Sequence, residues 1–82
     1  MDTVWIAQAV FDKAHSVTMP GRQADLVAAF ERSGITIDVA AQKVTSVEAE
    51  SSFARLSAEL KSSLPTASIG AKRVLAEQHI HI

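Results

Sequence analysis

The sequence has no cysteine and no tyrosine among its 82 residues, and only two prolines and three glycines. Without cysteine there is no disulfide, no cysteine-ligated zinc, no iron–sulfur cluster and no thiol nucleophile. The glycines, Gly21, Gly34 and Gly70, stand alone, so no loop of the phosphate-cradling kind is present. Neither sign of charge is in excess: eight lysines and arginines face nine aspartates and glutamates, a formal net charge of −1. A nucleic-acid reader needs clustered cations for its phosphate contacts, and here only Lys72 and Arg73 are adjacent. Long apolar runs are missing too, so no segment is expected to span a bilayer. No helical stretch joins a basic polar face to an aromatic edge, which argues against a membrane surface. Asp2 stands where a secretion signal carries lysine or arginine, and no apolar stretch of signal length follows. These features predict a cytoplasmic protein.

Catalytic signatures are equally sparse. The nine serines fall mainly at caps and turns, where their hydroxyls bond the backbone, and none sits in a Gly-x-Ser-x-Gly setting. The carboxylates are scattered along solvent faces. His79 and His81 would share one side of a strand but opposite flanks of a helix. With His15 or a carboxylate they could in principle chelate zinc or copper, yet zinc sites want three or four convergent ligands. The expectation is therefore no enzyme, no cofactor, no metal and no small-molecule substrate.

What the chain does contain is alanine and helix-forming polar residues. Hydrophobic residues make up 48% of it, but fourteen are alanine, and Trp5, Phe11, Phe30 and Phe53 are the only aromatics. A small core thin in large side chains is often finished by self-association or by a partner. Breaks at Met19-Pro20-Gly21, Ser33-Gly34, Val44-Thr45-Ser46 and Leu64-Pro65-Thr66 divide the chain.

The first segment, from about Thr3 to His15 or Ser16, reads as a helix capped by Asp2 or Thr3. Ile6, Ala7, Val10, Phe11, Ala14 and Val17 form its apolar face. Trp5 falls nearly opposite, among Gln8, Ala9, Asp12 and Ser16. A second helix starts near Pro20 and stops at Gly34, with Leu26, Val27 and Phe30 inward. Residues 35–47 are ambiguous. Ile35, Ile37 and Val39 alternate like a strand, whereas Ile37, Ala40, Ala41, Val44 and Val47 fit a helix. No convincing second strand is evident, and a lone strand leaves backbone groups unpaired, so the helix is preferred. Thr45 and Glu48 have capping-box spacing before a helix to Leu64 with Ala49, Phe53, Leu56, Leu60 and Leu64 on one stripe. A last helix follows Pro65, capped by Thr66 or Ser68, and runs to about Gln78. It has two apolar stripes, Ala67, Ala71, Val74, Leu75 and Ile82 on one side and Ile69, Ala76 and Ile80 on the other. The tail His79-Ile80-His81-Ile82 could equally fray into a strand.

Arg22 to Val47 has the outline of a helix-turn-helix, and Asp38 to Arg55 resembles a bacterial repressor headpiece. Phe30 occupies a site where the first motif takes a small residue, and Val44 stands where the second turns on a glycine.

The sequence thus predicts an all-α fold: a single helical domain over residues 1–82, a bundle of four or five short helices open to completion by dimerisation. The expected function is a small protein-binding module, whether adaptor, chaperone-like subunit or inhibitor, docking through helices. Trp5, Ile69, Ala76, Ile80 and Ile82 are the expected interface, and the partner is another protein or a second copy. A homodimeric helix-turn-helix DNA regulator is the alternative.

Overall fold

The computed structural model describes residues 2–81. Helix α1 spans Thr3–Ser16, a 3-10 turn Pro20–Arg22 leads into α2, Gln23–Arg32, and two strands follow, β1 Ile35–Asp38 and β2 Lys43–Val47. Helices α3, Ser52–Ser63, and α4, Pro65–Glu77, complete the order. The fold is therefore not all-α. It is four helices plus an antiparallel two-stranded hairpin, in one mostly helical body.

Each helix follows from local chemistry. The Asp2 carboxylate accepts from the N–H groups of Val4 and Trp5, satisfying donors the first turn leaves unpaired, while Lys13 and His15 lie in the last turn of α1. Gly34 takes φ +88°, a left-handed conformation that ends α2 and turns the chain into β1. Pro65 opens α4 at a position where its missing N–H costs nothing; neither Thr66 nor Ser68 caps that helix.

The hairpin corrects the reading of residues 35–47 as helical. Ile35 pairs with Val47 and Ile37 with Val44, with a bulge that offsets the register between Thr36 and Ile37. Ile35, Ile37 and Val44 point into the core. The second strand escapes the sequence because the bulge breaks its alternation and leaves Val44 as its one buried residue. The turn escapes it too. Gln42 adopts φ 54° where a hairpin signal would be glycine or asparagine, steadied by Asp38, whose carboxylate accepts from Ala41 N–H at 3.2 Å. Thr45 lies in β2, so the expected capping box is not formed; Glu48 instead closes the hairpin, its N–H donating to the Gly34 carbonyl at 2.8 Å.

Gln8 ties the hairpin to α1. Its side-chain oxygen accepts from Val44 N–H at 2.7 Å, and its amide donates to the Gln42 carbonyl at 3.2 Å and to Asp12 at 3.0 Å. Part of the outer edge of β2 is thus satisfied by a helix side chain.

Phe11, Phe30 and Phe53 belong to one core drawn from all four α-helices and both strands, together with Leu26, Leu56, Leu60 and Leu75. Phe11 and Phe30 meet edge to face at 5.3 Å between ring centroids, a favoured aromatic geometry. Helices α1 and α4 pack closely at Gly70, where an added Cβ would lie 3.2 Å from Lys13 Cγ and 3.8 Å from Val17. Val17, just past the end of α1, and Pro65 to Ala67, at the start of α4, line one cleft, so α1 and α4 run antiparallel. The accessible surface, 4714 Å², is close to the roughly 4,800 Å² expected of a fully folded monomer of this mass. No buried side-chain nitrogen or oxygen lacks a partner among the described residues. The thin core that composition suggested is closed without a second chain.

Candidate protein-docking face

With the core closed, the informative surface is the apolar area left outside it. Trp5 is 73% exposed and Ile69 67%, while Met19 and Val39, also exposed, lie outside α1 and α4. The positions of Trp5 and Ile69 follow from helical phase. On α1, Lys13 and Val17 face α4, the arc from Ile6 through Val10 to Ala14 faces the core, and Trp5 falls with Ala9, Asp12 and Ser16 on the side facing neither. On α4, Gly70 faces α1, Ala67, Ala71 and Leu75 face the core, and Ile69, Arg73 and Ala76 are turned outward. Because the helices are antiparallel neighbours with their cores to the same side, these outward directions coincide. Trp5, Ile69 and Ala76 share one face of the molecule.

Ile80 behaves differently from the other expected interface residues. It is 9% exposed and belongs to the core. The cause is the way α4 ends. His79 takes φ 61°, its N–H donates to the Ala76 carbonyl at 3.0 Å, and Ile80 N–H reaches back to the Leu75 carbonyl at 2.9 Å. This left-handed cap satisfies the terminal carbonyls and folds Ile80 against the turn it leaves. Histidine is among the few side chains that enter that region with any frequency, so the signal was present at His79, though weaker than glycine's would have been. Ile82 lies outside the described residues. An Ile80→Asp variant is expected to lose about 2–4 kcal/mol of stability in urea unfolding, because it buries a carboxylate, rather than to act on a surface.

Both helices carry both signs of charge, Asp12 and Lys13 on α1 and Lys72, Arg73 and Glu77 on α4. The ion pairs among the described residues are Arg22–Asp25, Arg32–Glu59 and Arg55–Glu48, none of which includes a residue of α1 or α4. Asp12 on α1, and Lys72 and Arg73 on α4, belong to none of them.

No family model, curated protein or solved structure matches this chain. The face is therefore interpreted from its own chemistry. Among the described residues no three histidine, aspartate or glutamate side chains come together in a metal-holding group, and His15 lies against Phe11 with ring centroids 5.5 Å apart. No helix is long and apolar enough to cross a membrane. The hairpin takes the place of the second helix of the outline over Arg22 to Val47 and of the first helix of the headpiece-like stretch from Asp38 to Arg55.

One feature had no sequence signal. A cleft of about 280 Å³ opens between Phe11 and His15 on α1, Ala24 and Val27 on α2, and Val39 in the hairpin turn. It exists only because the turn folds over α1, so it became visible with the hairpin.

Proposed function

We propose that the chain is a small protein-binding module that docks a partner on the outer face of α1 and α4 and performs no catalysis. The observation that carries this reading is the exposure of Trp5 and Ile69 on one face of a fold whose own core is complete. A monomer that needed these side chains for its stability would have folded them inward, as it does Ile80. Left outside, a tryptophan beside Ala9, with an isoleucine elsewhere on the same face, has the make-up of a binding hot spot, in which a large aromatic carries most of the energy. Small Ala9 and Ala76 let a partner helix approach closely, which fits helix-on-helix docking.

Trp5→Ala is expected to weaken partner capture by about tenfold or more, and Ile69→Asp to do the same, while both fold with stability within about 0.5 kcal/mol of the parent. The test is affinity capture from extracts of the native host with the parent, these two variants, and Ala54→Asp on the exposed side of α3 as control. Loss of the same partner from the first two, with retention by the control, supports the reading. Equal recovery by all four contradicts it.

A further inference from the structure

We propose that the cleft between α1, α2 and the hairpin turn binds a small uncharged aromatic ligand, one or two fused rings with a hydrogen-bonding group at the edge. The cleft is built into the fold. The turn that forms one wall is tied to α1 by Gln8, whose amide donates to the Gln42 carbonyl at 3.2 Å. It is braced from within by Asp38, whose carboxylate accepts from Ala41 N–H at 3.2 Å. Phe11, on the α1 side, is buried and held by its edge-to-face contact with Phe30. Small-molecule sites are commonly preformed in this way, where several elements meet.

The lining sets the class of ligand. Apolar surface comes from Phe11, Ala24, Val27 and Val39, and polar groups from His15, Gln23 and Gln42. No lysine, arginine, aspartate or glutamate is among them, in a chain where 21% of residues are charged. By contrast, the clefts at Arg22 and at Lys72 each carry a cation. A charged ligand would shed water here without gaining an opposite charge, so a neutral one is favoured. The side chains of His15, Gln23 and Gln42 form no hydrogen bond with other described residues, which leaves their donors and acceptors for a ligand. The Phe11 and His15 rings lie 5.5 Å apart, tilted by 37°, so a flat ring system entering the cleft meets two aromatic neighbours.

Val39 is a second, independent observation. It is 60% exposed, in a turn that reads Val39-Ala40-Ala41 where glycine, asparagine, aspartate or serine is usual. Neither the core nor the outer face of α1 and α4 uses it. A ligand in the cleft covers it. The volume, about 280 Å³, sets the size of that ligand. An apolar cavity of about 150 Å³ holds benzene, so this cleft takes a bicyclic ring such as indole.

Indole is therefore the probe. Titrated to about 5 mM into the isotope-labelled full chain, it is expected to shift the amide resonances of Ala24, Val27, Val39 and Gln42 saturably, with a dissociation constant of about 1 mM or tighter. Ile69 and Ala76 should not respond, since the cleft shares no residue with the docking face. Ala24→Phe fills the cleft from an exposed position, and Val39→Asp sets a charge at its rim. Each should weaken indole binding about tenfold or more with the circular dichroism unchanged. Indole-2-carboxylate, the same rings bearing a charge, should bind about tenfold more weakly than indole. Shifts that do not saturate by about 5 mM, or that spread over the docking face, overturn the inference. So do variants that bind as the parent does, or a carboxylate that binds as tightly as indole. Trp5-dependent capture of a partner is measured separately, so the docking face and the cleft stand or fall independently.

Discussion

Phe30→Ala is expected to remove about 3–5 kcal/mol of stability, the usual cost of deleting a buried phenylalanine. A domain of this size has roughly 4–12 kcal/mol in total, so the loss is a large fraction of it. The site justifies the upper part of that range. Phe30 is fully buried and meets Phe11 edge-on at 5.3 Å, and it connects the helix before the hairpin to the first helix of the chain. Removing it leaves a void among rigid neighbours and takes away the aromatic pair as well. Urea unfolding followed by circular dichroism measures the effect. Phe30→Leu, which keeps most of the volume, should cost about 1.5 kcal/mol or less and gives a reading if the alanine variant does not fold. A cost under about 1 kcal/mol for Phe30→Ala would mean that the ring is not the centre of this core.

Gly34→Ala is the second large effect, at about 2–4 kcal/mol. Two independent penalties meet at this residue. Its φ of +88° is a conformation L side chains rarely adopt. A Cβ there would also collide with the Glu48 carboxylate and lie 3.0 Å from Glu48 Cβ and 3.2 Å from Ser52 Oγ. The carboxylate can swing away, but the backbone cannot readily follow, because the Gly34 carbonyl accepts the Glu48 N–H that closes the hairpin. Gly21 provides the contrast. Nothing lies within 4 Å of a Cβ built there, and Gly21→Ala is expected to stay within about 0.5 kcal/mol of the parent. Equal costs at the two glycines would contradict the tight joint between α2 and β1.

Much of the helical structure was legible because it is written locally. Asp2 caps α1, Gly34 ends the second helical segment, and Phe53, Leu56, Leu60 and Leu64 fall on one buried stripe. The hairpin was not legible, and the reason lies in long-range geometry. Its second strand shows one buried residue, its turn uses Gln42 in a left-handed conformation, and one edge is completed by Gln8 from a helix over thirty residues earlier. None of these is visible to a pattern of period 2 or 3.6. On the candidate face, the outward placement of Trp5, Ile69 and Ala76 could be read from helical phase alone. Ile80 could not, since a single left-handed residue, His79, redirects it after the periodicity ends. Nor could the completeness of the core be judged from an alanine-rich composition, because the hairpin supplies Ile35, Ile37 and Val44 to it.

The central claim is that the fold is complete without Trp5. This chain has one tryptophan, so its fluorescence reports that residue alone. The most direct measurement is acrylamide quenching and emission of Trp5 in the native chain at a concentration of about 1 μM or less, below any weak association. The account predicts a red-shifted emission and a quenching constant near that of a free indole, with little change on unfolding in urea. A blue-shifted emission, protected from quencher until the chain unfolds, would place Trp5 inside the core and contradict the account.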